Sequence, residues 1–300
     1  MELSVGSLRL AKALAEVVPD MVARPVARNG GRAISQISAE QREVVRRNLA
    51  RVYGPEINDA ELRARVRDVF ANYALYWLDS LQITSRSVSE LDASLTYEGL
   101  EYLSEPLRRG QGVIAAIPHL GSWEAGARWL AQVQGFRVVA AVEKLEPPEL
   151  YEWFVNYRTK ELGIEVVPVD GEATKHLINA LVSGAMLTLL CDRDVTGDGV
   201  EVEFFGERTT LPAGPALLAL RTGAPLVPLA VYQKRRGYHG VILEPIAAER
   251  EGRLRNDVAR VTQNLAYALE DLIRRAPTQW HVLQPNWPSD RKDPAPKSRA

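Results

Sequence analysis

Apolar positions along the chain follow two alternating patterns. Short continuous runs rich in Val, Ile, Leu and Ala stand at residues 113–117, 137–142, 164–169 and 186–191. Most are followed by stretches in which apolar side chains recur every three or four positions, over residues 124–134, 147–163 and 173–183. The continuous runs predict strands buried on both faces, and the helical recurrence predicts amphipathic helices between them. Pro147-Pro148 suits the opening of the second helix, because proline tolerates the first turn. Regular alternation of this kind predicts an α/β fold with a mostly parallel central sheet flanked by helices. Further strands are predicted at 95–99, 201–205, 226–232 and 240–243, and further helices at 100–109, 215–221 and 254–274. Lys234-Arg235-Arg236-Gly237 reads as a hairpin turn, solvated or facing an anionic lipid or phosphate group.

The N-terminal part has a different pattern. Leu3, Leu10, Leu14, Val17, Val18 and Met21 fall at helical spacing, with Arg9, Lys12, Arg24 and Arg28 between or beyond them. Such a basic amphipathic segment can lie in a lipid headgroup layer or pack on the domain. Pro19 and Pro25 predict two short helical pieces, closed by Gly30-Gly31. Ser38 with Gln41 matches a capping box opening a helix to residue 53, and Asn58 with Glu61 opens another. The apolar face of the latter runs Leu62, Val66, Val69, Phe70, Tyr73, Trp77, Leu81, a core stripe. From Pro285 the chain is rich in Pro, Lys, Arg, Asp and Ser and predicts a disordered tail. The expected division is a membrane-associating segment at 1–30, one large domain at 31–287 and a tail at 288–300.

Composition narrows the field. With 300 residues and 46% apolar content, the chain can bury a sizeable core. A net charge of −1 gives no global basic field for nucleic acid. The single cysteine, Cys191, allows no internal disulfide and fits a reducing compartment. No run approaches the ~20 apolar residues of a membrane-spanning helix, and no signal-peptide core is evident. The expectation is a cytoplasmic protein that visits the membrane surface if its substrate is a lipid.

The candidate chemistry gathers at Pro118-His119-Leu120-Gly121-Ser122-Trp123-Glu124. His119 hangs off the strand at 113–117, in front of a helix that Ser122 can cap, where open α/β sheets keep their sites. Glu124, in the first turn, is placed to reach back to one imidazole nitrogen, leaving the other to accept a proton. The helix N-terminus disfavours a cation and so favours a neutral base. Asp192-Arg193-Asp194 follows the strand at 186–191 and belongs to the same edge of the sheet. The cluster can brace loops, bind metal or grip a polyhydroxylated acceptor; no supporting ligand accompanies it, so no metal is expected. Cys191 points into the strand layer and makes a poor nucleophile. No G-x-S-x-G elbow is present, so no acyl-enzyme is called for.

His119 to Glu124 resembles the H-x4-D/E motif of the glycerolipid and lipid A acyltransferase superfamily. Cys191-Asp192-Arg193-Asp194, Gly199-Val200, Phe204-Phe205-Gly206 and the block from Thr222 to Pro228 resemble later blocks of its lauroyl/myristoyl branch. Trp280-His281-Val282-Leu283-Gln284-Pro285 is similar to the phosphatidylinositol mannoside acyltransferases of actinobacteria, and the resemblance spans residues 40 to 287. It implies a glycerolipid-acyltransferase-like fold with a mixed sheet, acyl-coenzyme A as co-substrate and no permanently bound cofactor. It further implies palmitoyl transfer to a mannose hydroxyl of a phosphatidylinositol mannoside, at the cytoplasmic face of the membrane. His119 is then the general base and Glu124 its support. Glu143 and Arg158 fall in the block after the histidine motif, and Asp192, Arg193 and Asp194 in the acceptor-side block, all as substrate-binding candidates. Tyr73, Tyr76 and Trp77 are candidates to line the acyl cleft. The oxyanion donors stay open between backbone groups near Gly121-Ser122 and Arg158. The alternatives are acylation of a lipid A precursor or a lysophospholipid, and a non-catalytic lipid-binding protein.

Overall fold

The computed structural model describes residues 5–144, 146–169 and 172–290. Leu3 of the N-terminal stripe and residues 291–300 of the expected tail lie outside the described residues. The chain begins with helices α1 (Val5–Val17), α2 (Asp20–Ile37), α3 (Ala39–Tyr53), α4 (Asp59–Gln82) and α5 (Val88–Ser94). The alternating part follows as β1 (Leu95–Glu98), α6 (Glu101–Arg108), β2 (Val113–Ile117), α7 (Trp123–Gln132), β3 (Val138–Val142), α8 (Pro148–Asn156), β4 (Ile164–Pro168), α9 (Ala173–Val182) and β5 (Met186–Leu190). A hairpin, β6 (Val200–Phe204) and β7 (Glu207–Leu211), precedes α10 (Gly214–Thr222), β8 (Leu226–Gln233), β9 (Tyr238–Ile242) and α11 (Leu254–Arg275).

The seven-stranded sheet has the order β1-β9-β8-β2-β5-β3-β4. All its pairs are parallel except β8 with β9, which are joined by the Lys234–Gly237 turn. The predicted α/β fold with a mostly parallel, mixed sheet is therefore present. Strand β2 lies in the middle, and its alternation divides the core. Ile114 and Ala116 join the layer under α9, α10 and α11; Val113, Ala115 and Ile117 join the layer under α6 and α7. All five residues of β2 are buried, which explains why it reads as an unbroken apolar run.

Two expectations about the chain ends change. Helix α2 does not stop at Pro25 or at Gly30-Gly31 but runs from Asp20 to Ile37. Packing on α4 outweighs local propensity. Gly31 lies so close to α4 that a Cβ would stand 2.3 Å from the Phe70 carbonyl oxygen. Arg24 pairs with Asp79 at 2.7 Å and Arg32 with Asp68 at 2.8 Å along the same contact. The glycine is there for close approach, not for a break. At the other end, the packed structure continues past residue 285. Asn286, Trp287 and Asp290 are buried. Trp287 stacks on Phe204 at 5.7 Å, and Asp290 pairs with Arg51 of α3 at 3.0 Å. Among the described residues, no helix is long and apolar enough to cross a membrane.

Candidate active site

Strands β2 and β5 are paired in parallel with Ile117 opposite Leu190. The next residues continue side by side, the Cys191 amide donating to the Ile117 carbonyl at 2.9 Å. His119 and Asp192 thus leave the same edge of the sheet together, each just past its strand end. The Asp192 carboxylate accepts from the imidazole Nδ1 at 2.6 Å and from the His119 backbone N–H at 3.0 Å. Trp280 Nε1 donates to its Oδ2 at 2.7 Å, and Asn286 Nδ2 to its backbone carbonyl at 2.9 Å. Asp192 is completely buried, whereas the His119 side chain keeps 32% of its surface open. Nδ1 is thus committed to a carboxylate, which leaves Nε2 as the nitrogen that can accept a proton.

The carboxylate on the ring is therefore Asp192 and not, as the spacing suggested, Glu124. Ser122 makes no side-chain cap on α7; its Oγ accepts instead from Gln233 Nε2 at 3.1 Å. The loop before α7 is fixed by neighbouring backbone. Ser122 N–H donates to the Val231 carbonyl at 2.8 Å and Gly121 N–H to the Gln279 carbonyl at 3.0 Å. Gly121 has φ +62, and a Cβ there would sit 2.0 Å from the Val231 oxygen, so only glycine fits. Held this way, α7 carries Glu124 inward and away from the ring. Glu124 accepts from Tyr76 Oη at 3.0 and 3.2 Å and from Arg158 Nη2 at 3.2 Å, and is almost fully buried. Arg158 lies in a π-helical turn (Tyr157–Glu161) after α8, stacked over Trp123 at 5.1 Å and Phe154 at 5.4 Å. Such turns re-aim side chains and often accompany sites.

The electrostatics follow from these contacts. Burial works to lower the His119 pKa, but the charge of Asp192 and its hydrogen bond outweigh burial, and the net shift is upward. The expectation of a base kept neutral by the helix end is thus reversed in sign by the neighbouring carboxylate. Burial raises Asp192, yet the His119 charge and the donors from His119 and Trp280 prevail and hold it below the usual carboxylate range. Burial dominates at Glu124 and raises it against the pull of Arg158 and Tyr76. Cys191 is buried and its thiol is pushed up by that burial, in keeping with an inert side chain.

The remaining predicted residues fall in two groups. Arg193 is half-buried and Glu143 exposed; their charges act on His119 with opposite signs, Arg193 lowering and Glu143 raising it. Asp194 turns into its own loop, accepting from Thr210 Oγ1 at 2.8 Å, Gly197 N–H at 2.9 Å and Gly199 N–H at 3.0 Å. It shapes the 192–199 turn. Sequence reasoning gave no role to Trp280 or His281 beyond membership of a motif, and none to Asn286, which fell in the polar stretch from Pro285 onward. His281 N–H donates to the His119 carbonyl at 2.7 Å. Its ring lies 5.3 Å from those of both Tyr73 and Tyr76, and its Nε2 is buried without a partner. Burial, then the neighbouring His119 charge, push His281 down to about 3, so it stays neutral.

This α/β domain, with a histidine held by a buried aspartate at the carboxyl edge of its sheet, is an acyltransferase domain. Residues 8–289 match the family model for bacterial lipid A biosynthesis acyltransferases, and the chain belongs to that family. It is 36% identical over 296 residues to a phosphatidylinositol mannoside acyltransferase of Mycolicibacterium smegmatis, covering 95% of this chain and 90% of that one. It is also 36% identical over 280 residues to the protein of the same name from Mycobacterium tuberculosis strain H37Rv, covering 90% of this chain and 82% of that one.

Proposed function

We propose that the protein transfers a long-chain acyl group, palmitoyl in the first instance, from acyl-coenzyme A to a mannose hydroxyl of a phosphatidylinositol mannoside. The observation that carries this reading is the Nδ1–Asp192 bond of 2.6 Å, which leaves Nε2 of a half-exposed His119 to act as base. Nε2 takes the proton of the acceptor hydroxyl as its oxygen attacks the thioester carbonyl carbon. Asp192 stabilises the imidazolium that forms. The tetrahedral intermediate collapses to the ester and expels the coenzyme A thiolate, which takes up from the imidazolium the proton that came from the acceptor hydroxyl. No enzyme nucleophile takes part. Arg193 and Glu143 border the ring and suit contacts to phosphate and sugar hydroxyls respectively. The acceptor class rests on the relatives named above and on the Trp280–Pro285 block.

An amphiphilic acceptor requires work at a lipid surface. The exposed apolar side chains Leu10, Leu14, Val17, Met21, Val26 and Ile37 of α1 and α2 support peripheral association with the inner leaflet.

The test is transfer of radiolabelled acyl from acyl-coenzyme A to a panel of acceptors. Label should pass to the mannosylated inositol lipid, and not to lysophosphatidate or a lipid A precursor. His119→Ala should lower turnover by about 10²- to 10⁴-fold, the usual worth of a general base. Label on a different acceptor would reassign the substrate; full turnover in His119→Ala would end the mechanism.

A further inference from the structure

The Asp192 carboxylate divides its two oxygens unequally. Oδ1 accepts from the imidazole Nδ1 at 2.6 Å. Oδ2 accepts from two donors, the His119 backbone N–H at 3.0 Å and Trp280 Nε1 at 2.7 Å. The indole is thus a third party to the pair that carries the proposed chemistry, reaching it from the segment after α11.

The donor is held in place from every side. Trp280 is 2% exposed. Its rings lie among those of Phe205 at 5.9 Å, Phe204 at 6.2 Å and Trp287 at 6.3 Å. The backbone is tied beside the histidine as well: Trp280 bridges Leu120, and the His281 N–H donates to the His119 carbonyl at 2.7 Å. A dipole fixed in this way acts on a neighbouring charge without having to reorient.

What it does there follows from the charges. A carboxylate beside an imidazole favours the imidazolium, and at His119 this pull already outweighs burial. The further it goes, the less of the ring is free to take a proton near neutral pH. An N–H aimed at Oδ2 draws carboxylate charge away from Oδ1 and turns its own positive end into the pair. Both effects disfavour the imidazolium. The other groups acting on the ring are Arg193, Glu143 and His281, and Cys191 stands beside the carboxylate; substituting Trp280 replaces none of them.

We infer that Trp280 is a positioning residue that moderates Asp192: its indole N–H takes up part of the carboxylate's charge and so keeps the His119 imidazole a free base near neutral pH. This deepens the proposed function and rests on His119 being the base.

The experiment reads the ring directly, by NMR titration of the whole chain carrying isotope-labelled histidine, with His119 assigned by its loss in His119→Gln. W280F should raise the His119 midpoint by about one pH unit, tenfold in the proton equilibrium. The acid limb of the kcat/KM profile should rise with it. Benzothienylalanine in place of Trp280 keeps the bicyclic shape with sulfur where the N–H stood, and should give the same rise even if W280F folds poorly. W287F is the control, because that indole belongs to the same aromatic cluster but donates to the Phe204 carbonyl at 3.3 Å; its midpoint should match wild type. A midpoint unchanged in both Trp280 variants would make the indole packing alone. A lowered one would mean that the carboxylate turns off the ring without its donor, and an equal rise in W287F would assign the effect to the cluster. Each of these overturns the inference. The titration needs no acceptor, so failure of wild type to acylate any mannosylated lipid would defeat the proposed function while the midpoints still decide what Trp280 does to the ring.

Discussion

Asp192 holds the imidazole from two sides, accepting from the ring and from the backbone of the same residue. Its carboxylate is also the reason the His119 pKa lies above the ordinary histidine value despite burial. In the proposed mechanism the base works only when neutral, so activity should fall as pH drops through that raised pKa. Removing the carboxylate removes the upward pull and leaves burial in charge. Asp192→Asn should therefore move the acid limb of the kcat/KM profile to lower pH while cutting turnover by about 10²- to 10⁴-fold, the range for a lost base contribution. Glu124→Gln supplies the contrast. Its carboxylate sits on Tyr76 and Arg158, not on the ring, so the acid limb should stay in place. Its cost should appear instead as about 1–3 kcal/mol of stability, because a buried guanidinium loses its charge partner. A Glu124→Gln profile that shifts as far as that of Asp192→Asn would put the two carboxylates in the same role and defeat this division.

At the level of elements, the helix–strand alternation and the position of His119 were legible because their signals are local. An unbroken apolar run, a Gly-bounded loop and a helix stripe each lie within a dozen residues. The partner of His119 was not legible, because Asp192 lies far along the chain and reaches the ring only through the register of β2 on β5. The sequence placed Asp192 on the correct edge but offered Glu124 as the nearer carboxylate. Helix α2 misled for a related reason. Pro25 and Gly30-Gly31 are breakers by propensity, and only contact with α4 shows that Gly31 is needed for closeness. Gly31→Ala should accordingly destabilise rather than strengthen the helix. A methyl group directed at the Phe70 carbonyl must push α2 off α4, at a cost of about 1–3 kcal/mol, read from urea unfolding. A gain in stability would mean the contact is loose.

Across the whole molecule, the chain closes on itself. The segment after α11 runs beside the site, where Trp280 bridges Leu120, and its last described residues lie against α3. Asn48 of α3 donates to the Val282 carbonyl at 3.0 Å, and Arg51 stacks over Trp287 at 4.2 Å. From Pro285 the polar composition hid the packing, since Trp287 and a few buried hydrogen bonds do the holding. Trp287→Ala should cost about 3–5 kcal/mol in global unfolding, the usual loss for a fully buried tryptophan. A loss under 1 kcal/mol would show that the segment is only draped on the surface.

The grip of Trp280 and Asn286 on Asp192 has a temporal meaning during synthesis. His119 and Asp192 leave the ribosome long before the two side chains that clamp the aspartate. Until then the carboxylate has no indole to donate to it and the ring no settled orientation. In the proposed mechanism, full acyl transfer therefore waits until the chain has been made as far as Trp280 and Asn286.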